Sequence, residues 1–154
     1  MLKEGDAAPA FRLPADDGSE ISLKDLHGKH VALYFYPKAS TPGCTTEAIE
    51  FRDLKKDFDK LNAIILGCSA DSVESLAKFK VKQKLNFPLL SDPDFTAIEA
   101  YNARRMKSFL GKSYLGIVRS TVLIGPDGTV EKIWANAKSK GHAAEIVEVL
   151  KTLQ

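Results

Sequence analysis

Two thiols, Cys44 and Cys68, are the side chains of this 154-residue chain best suited to chemistry. A thiol attacks as the thiolate, and a free cysteine is only a few per cent ionised at neutral pH, so a nucleophilic cysteine needs donors around it. Cys44 follows the loop Pro37-Lys38-Ala39-Ser40-Thr41-Pro42-Gly43 and precedes Ala48, Phe51, Leu54, Phe58 and Leu61, apolar residues at spacings of three and four. That spacing predicts one helix that starts at or near Cys44. Unpaired N–H groups and the positive end of the macrodipole then face the sulfur, effects each worth roughly 1 kcal/mol or less at an exposed site. Thr41 adds a hydroxyl that can accept from an incoming substrate and donate to the sulfur. Position alone does not separate a nucleophile from a small buried hydrophobe, the commonest role of cysteine.

Cys68 ends the run Ala63-Ile64-Ile65-Leu66-Gly67 and reads as a packing residue at the end of a buried strand. Cys44 is followed by Thr45-Thr46-Glu47, so there is no Cys-x-x-Cys pair. His27, His30 and His142 stand at no spacing that builds a tetrahedral metal site, and no metal is expected.

The elements that must position these groups follow α/β grammar. Phe11-Arg12-Leu13, the turn Asp16-Asp17-Gly18 and Glu20-Ile21-Ser22 predict an N-terminal hairpin. Val31 to Tyr36 and Ala63 to Cys68 are continuous apolar runs, the pattern of strands buried on both faces. Each is followed by a helical pattern, the second carrying Val73, Leu76, Phe79 and Val81 on its apolar side. A short helix is expected around Thr96 to Tyr101, then an irregular basic stretch from Arg104 to Lys112, whose Arg104-Arg105-Met106-Lys107 reads as a solvated loop, with contact to a reductant as the alternative. Ser120 to Ile124, Gly125-Pro126-Asp127-Gly128 and Thr129 to Trp134 predict a second hairpin, and Ala143 to Leu153 a closing helix. Parallel strands early and a hairpin late imply a mixed sheet flanked by helices. Tyr36, Phe51, Phe109 and Trp134 are expected in the core, with a substrate pocket or a dimer surface as the alternative for some of them.

Composition narrows the classes further. The net charge of +2 is the remainder of 22 basic and 20 acidic residues, without a run of like charge, so neither nucleic acid nor membrane is expected as a partner. The absence of an exported-type leader, of long apolar segments and of a disulfide framework points to a cytoplasmic protein with free thiols. Residues 1–154 read as a single domain.

The string Pro37 to Cys44 resembles the peroxiredoxin signature: a proline, three residues, a threonine or serine, two residues and the reactive cysteine, with Glu47 matching an acidic residue just beyond. The longer run from Tyr34 through Thr41-Pro42-Gly43-Cys44-Thr45-Thr46-Glu47 to Asp53 is similar to the subgroup called bacterioferritin comigratory protein or PrxQ. Likeness continues in Ser69-Ala70-Asp71-Ser72, Phe87 to Asp92 and Arg119-Ser120-Thr121, over almost the whole chain. The resemblance implies a thioredoxin-like fold with a mixed central sheet, and a thiol peroxidase that reduces hydrogen peroxide and organic hydroperoxides through a sulfenic acid on Cys44. It further implies that Thr41 orients the peroxide, that Pro37 shields the sulfur from water, and that Arg119 approaches the sulfur and stabilises charge on the breaking O–O bond. Glu47 would orient an arginine, and amides near Gly43 would meet developing charge. No metal, haem or flavin cofactor is implied. The implied partners are a hydroperoxide and a thiol reductant such as thioredoxin, glutaredoxin or a small thiol, with the chain a monomer or weak homodimer.

The chain departs from this pattern where a second, resolving cysteine is expected. Five residues after Cys44 stands Ile49, and the corresponding place in the next helix aligns roughly with Lys80. The sulfenic acid is therefore expected to be resolved by an external thiol, by a second chain, or by Cys68 after local unwinding that brings the two Cα atoms within about 7 Å. A rival reading is a redox-sensing or thiol–disulfide exchange protein of the thioredoxin-like group.

Overall fold

The computed structural model describes residues 1–154. β1 (Arg12–Pro14) and β2 (Glu20–Ser22) form the N-terminal hairpin, with Gly18 in its turn at a φ of 85°. β3 (His30–Phe35) leads to α1 (Pro42–Asp53) and α2 (Lys55–Lys60), β4 (Ala63–Ser69) to α3 (Val73–Gln83), and β5 (Leu89–Ser91) to α4 (Thr96–Ala100). β6 (Arg104–Phe109) and β7 (Lys112–Ile117) form a separate ribbon, followed by β8 (Ser120–Ile124), β9 (Val130–Trp134) and α5 (His142–Thr152).

The central sheet has the order β5-β4-β3-β8-β9, parallel across β5, β4 and β3 and antiparallel across β3, β8 and β9. It is the mixed sheet that the sequence pattern implies. Because successive side chains of a strand point to opposite faces, β3 divides its apolar run between two cores. Ala32, Tyr34 and Tyr36 pack with Phe51, Phe58, Phe79, Ile146 and Leu150 of the helices on one face. Val31, Leu33 and Phe35 pack with Phe11, Leu13, Ile98 and Tyr101 on the other. Each such side chain removed from water contributes about 1.5–3 kcal/mol. β3 is thus held from both sides, and the loop leaving it at Phe35 starts from a rigid base.

Four expectations change. The helix expected to run from Cys44 past Phe58 breaks at Leu54, whose φ and ψ of −99° and 6° lie in the bridge region. Asn86 Nδ2 donates to the Arg52 carbonyl beside the break, and Arg52 Nη1 donates to the Gln83 carbonyl, so the end of α3 and the loop after it supply tertiary partners there. Val81 lies exposed, about 140° around α3 from Leu76, while Lys80, one turn after Leu76, takes the inward position. The stretch Arg104 to Lys112 is no irregular loop but β6, a tight turn and the start of β7; Leu110 and Gly111 both have positive φ, 52° and 78°. A leucine in that conformation carries no turn signal in sequence. Phe109, expected in the core, projects from this ribbon into solvent.

Candidate active site

Thr41 is the extended N-cap residue of α1, with Pro42, Gly43 and Cys44 filling its first turn. Proline suits that place because its missing N–H has no intrahelical partner there. Cys44 is 2% exposed, and its Sγ lies 3.4 Å from Arg119 Nη2. The other guanidinium nitrogen, Nη1, donates to Glu47 Oε1 at 2.6 Å. Cys44 and Glu47 are three residues apart on one face of α1, so a single arginine reaches both. Arg119 comes from the other end of the chain, immediately before β8, which pairs with β3; that pairing carries the guanidinium to the start of α1. The structure therefore brings together Cys44, Glu47 and Arg119, all named from the sequence.

Gly43 has a role beyond its amide. A Cβ at this position would stand 3.1 Å from Arg119 Nη2 and 3.7 Å from Ser139 Oγ, so the missing side chain is what lets the guanidinium and the segment before α5 close over the helix start. That segment is anchored on both sides of the site: Ala137 N donates to the Arg119 carbonyl at 2.8 Å, and Gly141 N donates to Glu50 Oε1 at 2.7 Å.

The loop before Cys44 is held from below. Ala39 N donates to Asp71 Oδ2 at 2.8 Å, and the same oxygen accepts from Ser69 Oγ at 2.7 Å. Ser91 Oγ donates to the Asp71 carbonyl, which ties the ends of β4 and β5 to the loop before Cys44. In the sequence Asp71 stands out only within a matching string, because a carboxylate that caps loop amides leaves no periodic signal. Thr41 Oγ1 donates to the Lys38 carbonyl at 2.8 Å. Its proton is thus spent on its own loop rather than on the sulfur, and its lone pairs remain to accept from a substrate. Pro37 is half-buried directly after the fully buried Tyr36.

Beneath the sulfur the electrostatics are tuned by burial. The Glu47 carboxyl, 1% exposed with Oε2 unpaired, is pushed up to about 7 because loss of hydration outweighs the attraction of Arg119. Arg119 stays charged at every pH of interest, and its positive charge lies against the sulfur. His142, in sequence only a scattered histidine, is buried at the start of α5. Its Nε2 lies 2.7 Å from Thr121 Oγ1, and its ring meets Phe51 and Trp134 edge to face. Burial lowers its pKa, so it is a neutral packing and hydrogen-bonding group.

Cys68 lies elsewhere. It is fully buried on β4, registers with Phe35 and Leu90, and packs in the core on the face of the sheet away from Cys44. Ile49 lies part-buried on α1, and Lys80 pairs through Nζ with the buried Asp16 carboxylate at 3.1 Å.

A buried thiol at a helix start, with an arginine delivered against it across a mixed sheet, is the arrangement that the sequence likeness to thioredoxin-fold thiol peroxidases implies. The chain belongs to the AhpC/TSA family, whose sequence profile matches residues 4–133. Relatives within it include Bcp and PrxQ peroxiredoxins. Peroxiredoxin Bcp of Bacillus subtilis is 46% identical over 152 residues, covering 99% of this chain and 97% of that protein. A cysteine-to-serine mutant of peroxiredoxin Q from Xanthomonas campestris superposes with a TM-score of 0.92 at 41% identity, covering 100% of this chain and 98% of its own. The bacterioferritin comigratory protein of Xanthomonas campestris, studied for its alkyl peroxide reduction activity in trapped intermediate and ligand complexes, superposes with a TM-score of 0.91 at 40% identity, over 99% and 98% of the two chains.

Proposed function

We propose that this peroxiredoxin reduces hydroperoxides, alkyl hydroperoxides included, in a single-cysteine cycle centred on Cys44. The Cys44 thiolate attacks the terminal oxygen of the hydroperoxide; an S–O bond forms, the O–O bond breaks, and water or an alcohol leaves after protonation. Thr41 accepts the hydrogen bond of the peroxide O–H, and Arg119 stabilises charge on the departing oxygen, with the amides of the first turn of α1 as further donors. Pro37 walls off the sulfur from bulk water. Glu47 fixes the guanidinium, and so acts through Arg119 rather than on the substrate.

The observation that carries this reading is the double engagement of Arg119, 3.4 Å from the sulfur and 2.6 Å from Glu47. An arginine pinned by a buried carboxylate and turned towards a buried thiol serves negative charge that develops between them. The fully buried position of Cys68, on the opposite sheet face, supports resolution of the sulfenic acid by an external thiol.

Intact-mass analysis after one equivalent of hydrogen peroxide tests the cycle. The expected product carries one added oxygen on Cys44, or a mixed disulfide there once a thiol is supplied. Loss of two hydrogens within one chain would transfer the resolving role to Cys68. In stopped-flow mixing, a thiol loss no faster than that of free cysteine would overturn the peroxidase assignment itself.

A further inference from the structure

The β6–β7 ribbon gathers the exposed apolar surface of the molecule. Of eight exposed large apolar side chains, five lie on it: Phe109 and Tyr114 on the face of Lys107 and Lys112, Leu110 in the turn, and Met106 and Leu115 on the opposite face; the other three, Met1, Val81 and Leu153, are scattered. Surface of this kind concentrated on one element marks an interaction site. The ribbon is also cationic. From Ala100 to Pro126 there is no acidic residue, while Arg104, Arg105, Lys107, Lys112 and Arg119 supply five positive charges against a net charge of +2 for the whole chain. Arg104 is neutralised by Glu99 at 2.8 Å, which leaves the charge concentrated on the face that carries Arg105, Lys107 and Lys112. Tyr114 shares that face; its ring lies over Gly116, where a Cβ would stand 3.1 Å from Tyr114 Cε2 and 3.2 Å from Lys107 Cδ.

This face leads to the reactive sulfur. β7 ends at Ile117, two residues before Arg119, and Lys107 Nζ donates to the Ile117 carbonyl at 2.8 Å. Burial and the neighbouring Arg119 guanidinium both lower the Lys107 pKa. Arg105 Nη2 donates to the Ala135 carbonyl, which joins the ribbon to the segment that closes over Gly43. A body seated on the ribbon stands beside Cys44.

We infer that the β6–β7 ribbon is the docking surface for a protein dithiol whose thiol-bearing face is apolar at the centre and acidic at the rim. The inference rests on the single-cysteine cycle proposed above. In the step it serves, one thiol of the donor attacks the Cys44 sulfenic acid, forming an S–S bond and releasing water. The donor's second thiol then attacks its own mixed-disulfide sulfur, leaving a disulfide on the donor and a thiolate on Cys44.

The test compares wild type with Phe109→Ser/Leu110→Ser and with Lys112→Glu, all at solvent-exposed positions outside the catalytic cluster. Oxidised enzyme is mixed with reduced thioredoxin, with reduced glutaredoxin, or with dithiothreitol. Recovery of the Cys44 thiol by at least one protein donor is expected to slow about tenfold in each variant, and the wild-type rate to fall with added salt. Recovery by dithiothreitol and the single-turnover rate with hydrogen peroxide are expected to stay within about twofold of wild type, since the mutations lie outside the small-thiol path. Equal slowing with all three donors, or no slowing with any, overturns the docking surface while leaving Cys44 chemistry intact. Failure of wild-type Cys44 to react with peroxide defeats the underlying cycle instead. Unchanged recovery by the protein donors, combined with wild-type-only sedimentation with phosphatidylglycerol vesicles or wild-type-only self-association in gel filtration, would reassign the ribbon to a membrane or to a second copy of this chain.

Discussion

Cys44 and Cys68 lie on opposite faces of the same sheet, both nearly without solvent contact, and their surroundings differ in kind. Cys44 has a guanidinium nitrogen at 3.4 Å, a helix start around it and a glycine before it that admits the arginine. Cys68 has Phe35 and Leu90 at either side in the sheet and no donor; burial drives its thiol well above the ordinary range, and the Asp92 carboxylate pushes the same way. Burial alone does not set thiol reactivity. What is buried with the sulfur decides whether its charged form has partners.

The largest effect follows from exchanging the proposed nucleophile. Cys44→Ser is expected to reduce peroxide consumption by at least about 1,000-fold, because a serine hydroxyl cannot replace a thiolate without a general base. Cys68→Ala is expected to leave the rate unchanged. A coupled assay with hydrogen peroxide compares the two, and a matching loss in both variants would erase the distinction between the faces.

Arg119→Met removes the charge that separates the two environments while keeping much of the volume. Loss of one preorganised donor at a developing oxyanion costs roughly 100-fold in rate, and kcat/KM should fall by about that factor. Arg119→Lys should recover only part of it, since an ammonium cannot span Cys44 and Glu47 as the planar fork does.

Glu47 gives the comparison a pH axis. Its carboxyl is raised to about 7, so the folded protein holds this proton more tightly than the unfolded chain, whose value is 4.5. The favourable contribution is complete below the unfolded value and is lost as pH rises through the folded one. Relative to Glu47→Gln, the wild type should therefore lose stability between about pH 4 and pH 8, by about 3 kcal/mol at most. Urea unfolding of both proteins across that range measures the difference, and parallel curves would show that Glu47 does not titrate in the window.

Much of this site is legible in the sequence because its parts are local or carried by a motif. Thr41, Gly43, Cys44 and Glu47 fall within one loop and two helical turns, and Arg119 stands beside a recognisable strand. The strands β3 and β4 announce themselves as unbroken apolar runs, since burial on both faces removes polar alternation. What stays hidden depends on distant pairing. Asp71 holds Ala39 from 32 residues away, and His142 meets Thr121 across 21. The β6–β7 ribbon is hidden for a different reason: its exposed apolar side chains alternate with no buried face, and its turn uses Leu110 at positive φ.

Gly43→Ala tests how the arginine reaches the sulfur. The added methyl would press on Arg119 Nη2 at 3.1 Å, so the guanidinium must shift by a few tenths of an ångström. A displacement that small is expected to lower kcat/KM by about three- to tenfold, since catalytic contacts depend steeply on placement. Stability should change little.

On the other face of the sheet, substitution of Cys68 is expected to leave activity unchanged and to alter stability alone. Cys68→Ala leaves a void where a sulfur packed among Phe35, Leu66 and Leu90, at a cost of about 1 kcal/mol. Cys68→Ser keeps the volume better but buries a hydroxyl in an apolar core, and an unpaired polar group there costs about 1–3 kcal/mol. The serine variant should therefore unfold at lower urea than the alanine variant, with peroxide turnover equal in both. The opposite order would mean that the serine hydroxyl finds a polar partner, for which the nearby Asp92 carboxylate, already accepting from Thr96 N and Ile98 N, would have to be recruited.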